Sequence, residues 1–414
     1  MNILIITNVF YPITHIGAFR INAFAKYFQL AGHNVTVIAE GAEDTTAQWE
    51  GCEIHYVKDP VIQQYTHSCY TNTTSNHGFF RHLIKALEYR VTLNNSFLWC
   101  RKTTTIARNV LLSKNIDIVL TTGGYDLPSH INALMLKRKG FKFYWIADFR
   151  DEPHYSEIRW HINKLCLHTW KKRTQQILDQ YNLLLSVSKP IVEQLRASSA
   201  HGNVLEVCNG YDYPEVYDSS FQQRFTMTYL GRFYPEIHPD NWFRAVKELL
   251  EERQLPSDII IKIIGNHEPI KIPDALKNNV IELPAVPHER AIEISINETD
   301  TLVMIYSATA NRKGIYSGKL LDYLATNKPI IAMYDPDDVA GELIKETCAG
   351  YIVRHDDIPA IKDAIMKSFN LWKNKETLNR NWNKIIEYRR SKQVEILLNY
   401  LETHLTDKNH EQSH

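Results

Sequence analysis

The sequence predicts an α/β protein made of two doubly wound domains. Short aliphatic strands alternate with amphipathic helices, the pattern of a parallel sheet wrapped by helices. The strands are continuous apolar runs, as expected where both faces are buried. They fall into two series, separated by a polar and aromatic stretch without periodicity at 209–224. The first series opens with a strand at 3–6, a helix at 20–30 ended by Ala31-Gly32-His33, and a strand at 35–39. Further strands are expected at 116–121, 144–147 and 183–187, with a helix at 131–137. The second series places strands at 227–230, 259–264, 301–305, 330–333 and 351–353. Residues 376–404, rich in Trp, Tyr, Leu and Arg, form one or two helices, and 405–414 is a polar tail. The expected boundaries are therefore 1–205, 206–375, 376–404 and 405–414.

Composition excludes more than it selects. A chain of 414 residues with zero formal net charge can bury large cores and carries no overall field to recruit nucleic acid. Its six cysteines show no Cys-x-x-Cys and no metal-ligand spacing, which favours free thiols and no resident metal. The N-terminus runs straight into a strand without a basic leader, and no apolar run is long enough to span a bilayer. A cytoplasmic protein, soluble or peripheral, is expected.

The most informative segment is Gly314-Ile-Tyr-Ser317-Gly318-Lys319-Leu-Leu-Asp322, followed by Asn327-Lys-Pro329 and an aliphatic strand. Ser317 and Gly318 open a helix whose unpaired N–H groups suit a diphosphate. Lys319 adds a full charge there, and Asp322, one turn on, can accept hydrogen bonds from a ribose. The same pattern also fits a serine-capped helix packed on a sheet. After the first strand, the loop Thr7-Asn8-Val-Phe-Tyr-Pro12 to Arg20 has no Gly-x-Gly-x-x-Gly, which speaks against a dinucleotide enzyme. It offers Gly17 and Ala18 at a helix start with Arg20 close by, a place for a phosphate or an ordinary strand–helix loop.

In order along the chain, further motifs follow. They are Thr121-Thr-Gly-Gly124 with Pro128-Ser-His130, Asp148-Phe-Arg150-Asp151, Leu185-Ser-Val-Ser188, Cys208-Asn209-Gly210-Tyr-Asp212 and Tyr229-Leu-Gly231-Arg232. With the opening strand–loop–helix and the 317–332 segment, this series resembles the retaining glycosyltransferases of the GT-B fold. The resemblance is to the family 4-like bacterial group that builds lipopolysaccharide, capsule and related glycans. It implies a nucleotide-diphosphate sugar donor, a uridine one, and a glycan or lipid-linked acceptor. It implies no cofactor and no metal. Carried over by position, Arg232 and Lys319 contact the diphosphate and stabilise the charge that builds as it leaves. Ser317, Gly318 and Asp322 complete the donor site with Gly17 and Arg20, and the base docks near Pro284-Ala-Val286.

On the acceptor side, Asp126 and His130 are candidates to orient the acceptor hydroxyl, with Asp148, Arg150 and Asp151 beside them. All lie at strand C-terminal ends, where open α/β sheets bind ligands. His130 can equally cap the helix after it, and Asp148, Arg150 and Asp151 can equally form a structural network. Two departures from the group stand out. Gly314 replaces a glutamate that touches the donor sugar in many relatives, and Glu236-Ile-His238 stands where many carry a lysine. Arg312 and Lys313 are candidates to compensate. Two basic, aromatic segments, 79–102 and 159–173, fit either an anionic membrane interface or helices with buried aromatics. An epimerase of the same fold and a non-catalytic binding subunit are the alternative functions.

Overall fold

The computed structural model describes residues 1–14, 16–60, 97–123, 127–151, 164–234, 237–306 and 314–411. They form two compact units, Met1–Cys208 with Arg390–His414, and Asn209–Arg389.

The first unit is built on an eight-stranded sheet of order β3-β4-β2-β1-β5-β6-β7-β8. Its strands are β1 (Asn2–Thr7), β2 (Asn34–Gly41), β3 (Thr45–Trp49), β4 (Cys52–Lys58), β5 (Ile118–Gly123), β6 (Tyr144–Phe149), β7 (Leu183–Ser186) and β8 (Val204–Glu206). All pairings are parallel except β3 with β4. Alternation along β1 explains the two-sided core. Leu4 and Ile6 join one buried cluster, while Ile3 and Ile5 join another on the opposite face. Helix α1 (Ile16–Leu30) and the final helix, Arg390–Glu411, cover that second face through Phe24, Phe28, Val394, Leu397 and Leu401. Helix α1 starts four residues before the expected position, so Gly17 and Ala18 lie in its first turn.

The second unit carries a six-stranded, wholly parallel sheet of order β11-β10-β9-β12-β13-β14. The strands are β9 (Thr226–Leu230), β10 (Ile260–Ile264), β11 (Val280–Leu283), β12 (Thr301–Ile305), β13 (Ile330–Met333) and β14 (Gly350–Val353). Val303 and Ile305 face one core cluster, Leu302 and Met304 the other. β9 is central, with β10 on one side and β12 on the other, so chain order reverses at that position. Such a switch point leaves a crevice beyond the strand C-termini. The expected two doubly wound α/β domains are therefore present, each with its own parallel sheet.

Candidate functional site

In the second unit the chain leaves β9 at Gly231, whose N–H donates to the Ile264 carbonyl at 2.7 Å. Its φ of +122° is a backbone conformation open essentially to glycine. Space requires glycine as well. A Cβ there would lie 2.1 Å from Lys319 Nζ and 2.7 Å from Lys319 Cε. The Lys319 ammonium therefore rests over the Gly231 backbone, 5.0 Å from the centroid of the Tyr229 ring. Lys319 is the second residue of a seven-residue helix, Gly318–Leu324, with Ser317 at its N-cap in extended conformation and without a side-chain cap bond. Arg232, the residue after Gly231, is exposed. Neither Lys319 nor Arg232 pairs with a carboxylate among the described residues. Burial of the ammonium without a counter-charge lowers the Lys319 pKa to about 8.

One turn after Lys319, Asp322 Oδ2 accepts a hydrogen bond from His288 Nε2 at 2.9 Å. His288 opens the helix His288–Asn297, which follows β11. His288 lies 34 positions from Asp322 and within no sequence motif. The strand ends nearby carry small residues: Gly265, with φ +84°, packs its Cα side against Ala285 and Gly231. Val286 is half-buried against the same core as Leu230 and Leu320. Gly314, with φ +85°, donates its N–H to Asp338 Oδ1 at 2.7 Å, and the same oxygen caps the following helix at Val339. His238 pairs with Asp240 at 3.2 Å on the surface. Glu236, Arg312 and Lys313 lie outside the described residues.

The candidates of the first unit are arranged differently. Arg20 is 5% exposed and Asp148 fully buried; the guanidinium donates to Asp148 Oδ1 at 2.7 Å and Oδ2 at 3.0 Å. It also donates to the carbonyls of Val207 at 2.7 Å and Cys208 at 3.1 Å, while Thr122 donates to Asp148 Oδ2 at 2.8 Å. This is a buried bracket joining α1, β5, β6 and the chain after β8, and the Arg20 charge is matched by Asp148 rather than left for a phosphate. Arg150 and Asp151 follow at partly exposed positions, and the Arg150 N–H donates to Gly123 at 3.1 Å.

His130 does not cap a helix. It lies in the first turn of Pro128–Arg138, whose N-cap is Leu127. Its ring is fully buried, stacked on Phe149 at 4.5 Å and hydrogen-bonded through Nδ1 to Thr121 at 2.8 Å. Burial pushes its pKa down to about 3, so the imidazole is neutral at physiological pH. Asp126 lies outside the described residues.

Of the two basic, aromatic segments, residues 79–96 and 159–163 are likewise outside them. In the remainder, Trp99 and Trp170 are buried in the core, with Lys171 and Lys172 exposed. Among the described residues no helix is long and apolar enough to cross a membrane, and no group of three His, Cys, Asp or Glu is placed to hold a metal. Cys52, Cys100, Cys208 and Cys348 are free thiols.

No family model matches the chain, and no curated protein matches it. Solved structures do. A sucrose-phosphate synthase from Thermosynechococcus elongatus matches with a TM-score of 0.65 at 13% identity, over 99% of this chain and 100% of that one. The lipopolysaccharide outer core galactosyltransferase WaaB, in its apo form, matches at 0.53 and 13% identity over 97% and 99%. Anabaena HepE, solved with UDP-glucose, matches at 0.60 and 10% identity over 97% and 100%. At these identities the likeness establishes architecture, and it runs the length of both chains each time: the protein has the GT-B fold of these glycosyltransferases.

Proposed function

We propose that the protein is a glycosyltransferase that moves a sugar from a nucleotide-diphosphate donor, a uridine one, to a glycan or lipid-linked acceptor in surface polysaccharide biosynthesis. Transfer proceeds with retention and needs no metal or other cofactor. The observation that carries this reading is the pair of cations at the β9 switch point. Lys319 is held over Gly231 without a counter-charge at a cost in desolvation, and Arg232 follows on the same turn. A diphosphate supplies the missing charge. As the anomeric bond breaks, negative charge grows on that diphosphate, and cations already in place stabilise it without reorganisation. Asp322 then takes the ribose, and the backbone near Val286 takes the base. WaaB and HepE, whose names record a galactosyltransferase and a UDP-glucose complex, support the choice of donor.

The test is a thermal-shift screen over sugar nucleotides followed by a turnover assay. Release of free nucleotide only when an acceptor is present supports transfer, and conversion of the donor to an isomeric sugar nucleotide without net release points to an epimerase. Gly314, which stands where many relatives of the resembled group carry a glutamate, favours the other alternative, a non-catalytic binding subunit. Tight nucleotide binding without turnover on any acceptor would establish it. Loss of transfer in excess EDTA, restored by magnesium, would refute the metal-free site. The acceptor domain works, on this reading, at the cytoplasmic face of the inner membrane against anionic lipid. Failure to co-sediment with anionic liposomes at low salt would replace a lipid-linked acceptor with a soluble one.

A further inference from the structure

We propose that His288 is a positioning residue of the donor site. It fixes the Asp322 carboxylate oxygen that receives the ribose hydroxyls, and so makes the site select ribonucleotides. The proposal rests on the donor-site reading above and extends it to a residue outside every motif in the sequence.

Asp322 presents its two oxygens unequally. Oδ1 is buried and has no hydrogen-bond partner among the described residues, whereas Oδ2 receives the His288 N–H at 2.9 Å. The Asp322 side chain is 14% exposed, and Oδ1 is withdrawn from solvent. A ligand that reaches Oδ2 meets the oxygen that His288 already holds. A carboxylate oxygen accepts more than one hydrogen bond, so Oδ2 keeps capacity for a hydroxyl donor beside the imidazole.

A short carboxylate with one unsatisfied oxygen is costly to keep buried. Without a fixed partner, rotation about its side-chain torsions would relieve that cost and move Oδ2 off the ligand. His288 prevents this. The imidazole is seated at the start of a ten-residue helix, with Pro287 at the N-cap, and is itself 30% exposed. Lys319 lies one turn before Asp322, which sets the spacing from diphosphate to ribose along a single helix.

The experiment measures binding by calorimetry for wild type, His288→Ala and His288→Gln. The probes are whichever of UDP, ADP and GDP binds the wild type best, and its 2′,3′-dideoxy counterpart. The wild type should favour the ribonucleotide. His288→Ala should weaken ribonucleotide binding by about tenfold, as expected for losing the order behind one charge-assisted hydrogen bond, and leave the dideoxy form unchanged. His288→Gln, whose amide can donate from the place of Nε2, should restore most of the loss. In turnover, His288→Ala should raise the donor KM with little change in kcat. Equal weakening of both nucleotides, or no rescue by glutamine, overturns the positioning role and leaves the donor site standing. If none of the three diphosphates binds the wild type, the donor-site reading falls and this inference with it.

Discussion

The Gly231→Ala substitution tests the donor site more sharply than removal of any charged group, because it leaves every charge in place. The added Cβ would stand 2.1 Å from Lys319 Nζ and 2.7 Å from Cε, so one of the two must move. Gly231 is tied to Ile264 through its own N–H, whereas the Lys319 head is the free end of a flexible chain, so the lysine gives way. The backbone contributes a second penalty, since φ of +122° is strained for alanine by about 1–2 kcal/mol. In a unit of this size that corresponds to a fall in melting temperature of about 2–8 °C. Displacing the ammonium should remove its part in stabilising the leaving diphosphate, about 2–4 kcal/mol, or a 30- to 1,000-fold loss of turnover. The decisive measurement is a double-mutant cycle in which Gly231→Ala, introduced into Lys319→Ala, costs little further activity. Additive losses, or full turnover in Gly231→Ala alone, would refute the claim that Gly231 acts by seating Lys319.

Two other outcomes follow from the same site. The Lys319 pKa, lowered to about 8 in the folded protein against 10.5 ordinarily, means that folding penalises its charged form below about pH 8 and that the penalty is relieved as pH rises towards 10.5. Lys319→Met should therefore melt higher than wild type at pH 7 while losing diphosphate affinity, and wild-type binding of UDP above pH 8 should take up protons; proton release in calorimetry would contradict this. Arg232→Ala should lower kcat by about 30- to 1,000-fold, whereas Asp322→Asn should mainly raise the donor KM, because ribose contacts change little during the reaction. Steady-state kinetics over donor concentration separate the two patterns.

What the sequence made legible was what is buried on both faces or carried on one element. Residues 301–305 and 330–333 read as strands because every residue of β12 and β13 is buried, leaving an unbroken apolar run. β3, β4, β8 and β11 leave no such signal. They lie at the outer parts of their sheets with partly exposed residues, and Glu282 interrupts the apolar run of β11. The β3–β4 hairpin also turns on Glu50-Gly51, both at positive φ, where Glu gives none of the usual Asn or Asp signal. Lys319 and Asp322 were legible together because they share a helix turn. His288 and the Arg20–Asp148 pair were not, since contacts across 34 and 128 positions leave no local pattern.

The two units treat charge in opposite ways, and that contrast separates architecture from binding. In the second, Lys319 is kept without a counter-ion at the end of a central strand. In the first, Arg20 and Asp148 satisfy each other and the surrounding carbonyls. A buried pair of this kind resists loss of one member far more than loss of both, because the remaining charge has no water and no partner. Arg20→Met should thus destabilise the first unit by about 3–5 kcal/mol, leaving Asp148 buried and charged between Thr122 and the sheet. Adding Asp148→Leu should recover most of that loss, since an apolar pair of similar volume restores packing without a bare charge. Urea unfolding followed by tryptophan fluorescence, to which the fully buried Trp145 of the same unit contributes, reports the midpoint. If Arg20→Met proves neutral in stability yet abolishes nucleotide binding, Arg20 belongs to the donor site after all, and the bracket described here is only its resting state.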